Sequence, residues 1–211
     1  MTSRREKLLI SMLLQSAVAV GFVVTGRYAS SRSLAEPAWL VTPVDRAIPL
    51  VPSTVWVYVS WYVAPFALLF EDLRQVRRLS VAIVVGFVTC VAAYASFPIA
   101  IVRPPVPSAP GASLALLRML YAVDAPVNVL PSFHAVVAFV VVDAMRARGL
   151  GTVATLWALA VCVSCVTTGQ HHILDVVAGL AVGAWAIRLS NAALPDAEAR
   201  STGSPVPSTA T

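Results

Sequence analysis

SVAIVVGFVTCVAAYASFPIAI, residues 80–101, decides the fold. It contains no charged side chain, and it is bounded by Arg77 and Arg78 on one side and by Arg103 on the other. A helix rises about 1.5 Å per residue, so such a stretch covers the hydrocarbon core of a bilayer, about 30 Å. Working outward, five further apolar blocks appear: Leu8–Val24, Val51–Phe70, Ser132–Met145, Val153–Val166 and His172–Leu189. Only a helix satisfies its own backbone in lipid without neighbours, so each block reads as a helix. The expectation is an all-α polytopic membrane protein, a bundle of about six transmembrane helices formed by residues 1–190. The segment 191–211 is rich in Pro, Ser, Thr and Gly and reads as a disordered cytoplasmic tail.

Composition agrees with the blocks. The chain is 58% hydrophobic and 12% charged, where soluble domains carry about 25% charged residues. The net charge of +5 does not indicate a nucleic-acid partner, because the arginines sit between apolar blocks rather than along a soluble face. They act instead as topology signals. With the N-terminus inside, ten basic residues fall on inner segments (Arg4, Arg5, Lys7, Arg74, Arg77, Arg78, Arg146, Arg148, Arg188, Arg200) and five on outer ones (Arg27, Arg32, Arg46, Arg103, Arg118). That asymmetry sets both termini in the cytoplasm, and the expected location is the plasma membrane. The first block follows Arg4, Arg5 and Lys7 like a signal peptide. Its length and the blocks after it favour an uncleaved anchor. Cys90, Cys162 and Cys165 all lie within apolar blocks and read as small buried residues.

Two outer loops are long and proline-rich, residues 25–50 and 102–131, the second with an interfacial helix expected from Ala112 to Val123. Trp39, Trp56 and Trp61 precede or enter the second block and read as interfacial anchors. Asp143 lies near Arg146 and Arg148 and reads as a local ion pair.

All three histidines fall in two short segments, Pro131-Ser132-Phe133-His134-Ala135 and Gln170-His171-His172-Ile173-Leu174-Asp175. The topology sets both at outer helix ends, level with Arg103. Ionisable residues at membrane depth are expensive and mark function. His171 and Asp175 are four apart, a spacing that shares one helix face. A carboxylate on one ring nitrogen fixes the tautomer and leaves the other nitrogen as a nucleophile. His172, three before Asp175, is the alternative partner. His134, in a first helical turn after proline and serine, is placed to hand a proton to a leaving oxygen. A haem or metal protein that uses the histidines is a weaker reading; for haem, adjacent His171 and His172 point apart on a helix.

Taken together, these segments resemble the type 2 phosphatidic acid phosphatase superfamily. Arg103-Pro104 resembles the end of its first motif and Pro131-Ser132-Phe133-His134 its second. Ser164, His171 and Asp175 match the spacing of its third. The run Asp124-Ala-Pro-Val-Asn128-Val-Leu-Pro131-Ser-Phe-His134 is similar to inositol phosphorylceramide synthase-like members, as is Pro43-Val-Asp45-Arg-Ala-Ile48-Pro49.

The resemblance implies a lipid phosphate phosphatase or head-group phosphotransferase with no cofactor and no metal, its active site on the outer face and its partners a lipid phosphate and the bilayer. It selects His171 as nucleophile, Asp175 as its support and His134 as proton donor. Arg103, Ser132 and Ser164 would bind phosphate, with Asp124, Asn128, Arg118 and His172 in support. Three positions depart from the pattern, each holding another residue where a basic one is expected: Ser96, Cys165 and Gly169. The alternative those departures leave is a non-catalytic lipid-phosphate-binding membrane protein. Nothing in the sequence specifies an oligomeric state.

Overall fold

The computed structural model describes residues 2–63 and 71–194. Among these residues every regular element is helical, and the eight α-helices are α1 (Thr2–Ser30), α2 (Pro43–Ala47), α3 (Val55–Ser60), α4 (Leu73–Ser96), α5 (Ala112–Val123), α6 (Phe133–Arg146), α7 (Gly151–Thr167) and α8 (Ile173–Ala193). A short 3-10 helix at Pro52–Thr54 leads into α3. Two loops meet in one isolated parallel bridge, Leu34 with Ile99.

The apolar blocks map onto these helices with shifted ends. Expected from Ser80, α4 starts at Leu73 behind the N-cap Asp72, whose carboxylate accepts the Gln75 N–H at 2.8 Å. The charged turn Arg74–Arg78 is therefore helical, because capping starts a helix that hydrophobicity alone does not mark. The block Val51–Phe70 becomes the 3-10 turn, α3 and a further turn at 61–63, and its remainder lies outside the described residues. The expected tail at Asn191 still belongs to α8, and everything beyond residue 194 lies outside the described residues.

Among the described residues three helices are long and apolar enough to cross a membrane: α1 from Arg4, α4 and α8. The fourteen-residue α6 and seventeen-residue α7 span only about 21 and 26 Å at 1.5 Å per residue. Short length suits α6, because it is the centre of the bundle. Most of its side chains are buried, among them Phe133, Val136, Val137 and Val140, with α4, α7 and α8 packed around it. α1 lies at the periphery against α4 and turns Leu9, Met12, Leu13, Val20 and Val24 outward. That outward apolar surface is compatible with a membrane protein.

The α6–α8 contact is unusually close, and glycine makes it so. A Cβ at Gly179 would lie 2.2 Å from the Ser132 carbonyl oxygen, and one at Gly183 would lie 2.9 Å from the Phe139 Cβ. Gly179 and Gly183 are four apart on one face, the small-residue spacing that lets two membrane helices approach backbone to backbone.

Two ion pairs, each with one buried partner, hold the end of the bundle away from the histidines. Asp143 pairs not with Arg146 or Arg148 but with Arg78 of α4, at 2.7 Å. Arg148 pairs instead with Glu71, at 2.5 Å.

Candidate functional site

The two histidine segments meet where α6 begins, α7 ends and α8 begins. The Ser132 N–H donates to the Asp175 carbonyl at 2.8 Å, joining the start of α6 to the first turn of α8. The N–H groups of Gln170 and His171 both donate to the Cys165 carbonyl at 3.0 Å, folding the chain back over the end of α7. His134 and His171 are thereby brought side by side, ring centroids 5.5 Å apart and nearly edge to face.

His134 is 6% exposed and lies between Tyr58 and Trp61, whose ring centroids are 4.4 and 4.5 Å from its own. Neither of its ring nitrogens has a hydrogen-bond partner among the described residues. Buried polar atoms are nearly always paired, so two orphaned nitrogens on one imidazole mark a place built for something else.

His171 precedes α8 rather than sharing a face of it, because the helix starts at Ile173 with His172 as its N-cap. The approach of His171 to Asp175 is therefore set by the turn into the helix. His171 Nδ1 stands 3.6 Å from Asp175 Oδ2, beyond hydrogen-bond range. That same oxygen accepts the His172 backbone N–H at 2.7 Å, while Asp175 Oδ1 is buried without a hydrogen-bond partner among the described residues.

His172 turns away from this pair. Its Nε2 lies 2.7 Å from Glu36 and its Nδ1 lies 3.7 Å from Asp45. Asp45 also accepts the Ile173 N–H at 2.8 Å, so the loop of residues 31–50 is tied to the first turn of α8. Burial alone would raise the Asp45 pKa. The Thr42 hydroxyl, the N–H groups of Ile173 and Thr42, and the nearby His172 outweigh burial and hold it below the usual carboxylate value.

Arg103 is 9% exposed at its side chain and reaches the site from the 102–131 loop. Nη1 donates to the Asp124 carbonyl at 2.6 Å and Nη2 to Gln170 Oε1, next to His171. Its guanidinium also lies 4.8 Å from the Tyr121 ring centroid and 3.4 Å from the Asp124 carboxylate. Burial pushes the Asp124 pKa above its ordinary value, although the charges of Arg103 and His171 and the Arg103 hydrogen bond pull it down.

The other expected phosphate contacts lie differently. Arg118 donates to the Pro107 carbonyl at 2.6 Å and braces the proline-rich loop. Ser164 gives its hydroxyl to Val161 one turn back, at 2.7 Å. Asn128 donates to the Phe22 carbonyl at 3.0 Å and fastens the loop to α1.

Two neighbours of His134 went unrecognised in the sequence. Trp61, expected at the interface, is 8% exposed, and Tyr58 is 1% exposed. Their three-residue spacing on a helix entering the bundle was the available signal. Trp39 and Trp56 remain exposed.

From His134 an apolar cavity of about 480 Å³ runs between α1, α4 and α6, lined by Leu14, Val18, Phe22, Trp61, Ile83 and Phe133 among others. His134, Cys165 and His171 each bring one metal-ligating atom within 4.8 Å of the others.

The fold and site thus define a helical bundle with an apolar exterior that carries a buried imidazole pair, an aspartate and an arginine at one end. Residues 33–189 match the family model of the PAP2 superfamily, and the chain belongs to that superfamily. Membership points to phosphatase-type, hydrolytic activity. No curated protein and no solved structure matches the chain.

Proposed function

We propose that the protein is a membrane lipid phosphate phosphatase or head-group phosphotransferase working through a phosphohistidine. The observation that carries this reading is the junction of two features. A buried imidazole pair has nitrogens unpartnered among the described residues, and one of its members, His134, lines an apolar cavity large enough for part of a lipid tail. A soluble phosphate would have no use for that cavity.

In the proposed reaction the lipid phosphate lies with its tail in the cavity and its oxygens toward Arg103 and Ser132. Asp175 faces Nδ1 of His171, leaving Nε2 to attack phosphorus. The N–P bond forms as the P–O bond to the leaving group breaks, and His134 gives that oxygen its proton. Water or a hydroxyl acceptor then attacks phosphorus, His134 takes the acceptor's proton and the N–P bond breaks. Water gives a phosphatase and a hydroxyl gives a transferase. The similarity around Asp124–His134 to synthase-like members supports the second. Charge stabilisation comes from Arg103 and backbone amides, without a metal. The site faces outward on a six-span bundle in the plasma membrane with both termini cytoplasmic, which the arginine distribution supports.

A second reading, a lipid-phosphate binder without turnover, is favoured by one observation: Asp124 and Gln170 already engage Arg103. One experiment separates the two. Purified protein is given a panel of lipid phosphates with and without hydroxyl acceptors, and products are identified by mass spectrometry. The enzyme reading expects turnover that His134→Ala and His171→Ala each abolish while the proteins stay folded. Lipid retention without product leaves the binder, and full activity in either variant refutes the mechanism.

A further inference from the structure

The end of α7 contributes a group that the proposed reaction does not use. Cys165 is a fully buried free thiol. Its sulfur shares a cluster with nitrogens of His134 and His171, all three ligand atoms lying within 4.8 Å of one another. The arrangement is built into the backbone, because the Cys165 carbonyl accepts the N–H groups of both Gln170 and His171. Both His134 nitrogens and His171 Nδ1 are buried without hydrogen-bond partners among the described residues.

We propose that His134, Cys165 and His171 form an inhibitory site for a borderline-soft divalent cation, Zn²⁺ by its chemistry. Two imidazoles and a thiolate are a ligand set that zinc takes readily, at about 2.0–2.1 Å to nitrogen and 2.3 Å to sulfur. From their present separations the three side chains must draw in by about an ångström to reach those bond lengths. Binding exchanges the thiol proton for the metal: the S–H bond breaks, the S–Zn bond forms and one proton leaves to solvent. The fourth position is left for water or a phosphate oxygen. Hard cations such as Mg²⁺ need a larger set of oxygen ligands, which this cluster does not offer.

The inhibitory consequence rests on the proposed roles of the histidines, but the binding does not. A bound ion would occupy the lone pairs that attack phosphorus and carry the leaving-group proton. Cys165 stands where the resemblance expects an arginine, a residue that does not ligate metals, so the sensitivity is specific to a chain with this substitution.

The test uses the full-length protein in detergent, with Co²⁺ as a spectroscopic probe and Zn²⁺ as inhibitor. Co²⁺ is expected to give a thiolate-to-metal charge-transfer band and the strong visible absorption of tetrahedral coordination, both removed by Zn²⁺. Cys165→Ser and Cys165→Ala should lose the charge-transfer band, and Cys162→Ser should keep it. Where lipid phosphate turnover is measurable, Zn²⁺ should inhibit the wild type reversibly with chelator, and Mg²⁺ should not. The Cys165 variants should keep basal turnover and lose at least about ten-fold in zinc sensitivity. Metal-free melting curves report whether each variant is folded. Absence of the charge-transfer band in the wild type, or its persistence in both folded Cys165 variants, overturns the site. A band without inhibition of an active enzyme overturns the inhibitory role. A band in a protein with no turnover on any lipid phosphate counts against the proposed reaction and leaves the metal site standing.

Discussion

Replacing Gly179 by alanine tests whether the spacing of α6 and α8 sets the geometry of the histidine pair. The added Cβ would lie 2.2 Å from the Ser132 carbonyl oxygen and 2.9 Å from the Ala135 Cβ. Ordinary contact begins at 3.4 Å, so the helices must part by about an ångström unless the backbone deforms. Overpacking of this kind costs about 1–3 kcal/mol, and the stretched Ser132-to-Asp175 backbone bond adds about 1 kcal/mol. Alanine returns a little under 1 kcal/mol through its better helix propensity. The net loss is about 1–3 kcal/mol, visible as a melting temperature several degrees lower in detergent. Turnover should fall further than stability, because an ångström of misplacement at reacting groups costs about a hundred-fold. Gly183→Ala is the control. Its Cβ meets the Phe139 Cβ at 2.9 Å and the Val136 carbonyl oxygen at 3.1 Å, milder contacts than the 2.2 Å at Gly179 and one turn farther from the histidines. It should lose some stability but keep near wild-type turnover per folded molecule. Wild-type melting and turnover in Gly179→Ala would refute the spacing argument. Equal activity loss in both variants would mean general loosening rather than a fixed distance at the site.

Asp124 carries a pH prediction. Its pKa is raised above the ordinary 3.8, so the folded state binds its proton more readily than the unfolded chain. Its contribution to stability is therefore present at low pH and is lost as pH rises through the raised value. Protonation also frees Arg103 from its counter-charge, so KM for the lipid phosphate should fall as pH drops through that window, and Asp124→Asn should flatten the KM profile. An unchanged profile in the variant would remove Asp124 from the phosphate clamp. At the other end of the bundle, Arg78→Met leaves Asp143 without its partner and strips hydrogen bonds from Asn191 and Gln75. Breaking a buried pair costs about 3–5 kcal/mol, and the quarter exposure of Asp143 lowers this to about 2–3 kcal/mol. Denaturation in detergent should show that loss, and a variant as stable as wild type would refute it.

What the sequence made legible was whatever repeats along one helix or one motif. Helices α5, α6 and α7 fall within two residues of the expected Ala112–Val123, Ser132–Met145 and Val153–Val166. His134 does lie in the first turn of α6, and His171 comes to rest beside it. The illegible features are those that need two distant segments at once. Asp143 has arginines three and five residues away, but α6 turns it toward Arg78, whose place on α4 depended on an unseen cap at Asp72. His171 and Asp175 looked like a helical i,i+4 pair, yet the helix begins only after His172, because Asp45 and Asp175 hold the N–H groups of Ile173 and His172. Glycine is silent to a hydrophobicity count, so the Gly179–Gly183 face was not seen. Trp61 reads as an interfacial anchor and Tyr58 carries no signal of its own until α3 and the turn after it bring both onto His134.

The missing basic residues also acquire a physical account. Gly169 takes φ +65°, and a Cβ there would lie 2.7 Å from Pro104 Cδ and 2.6 Å from the Tyr121 hydroxyl. No long cationic side chain fits without pushing away the segment that carries Arg103. Cys165 is fully buried under the turn that its own carbonyl anchors, so an arginine there would need its charge matched within the bundle. Ser96 ends α4 on an exposed surface. Of the two cations expected to clamp phosphate, Arg103 is brought to the histidines and Arg118 is spent on loop carbonyls. Arg103 reaches them through Gln170, whose position depends on Gly169 packing flat against Pro104. The substitution that removes one cation thus positions another. If the proposed reaction is right, Arg103 must bear most of the phosphate's charge, and the Asp124 carboxylate beside it sets how much of that charge a substrate can feel.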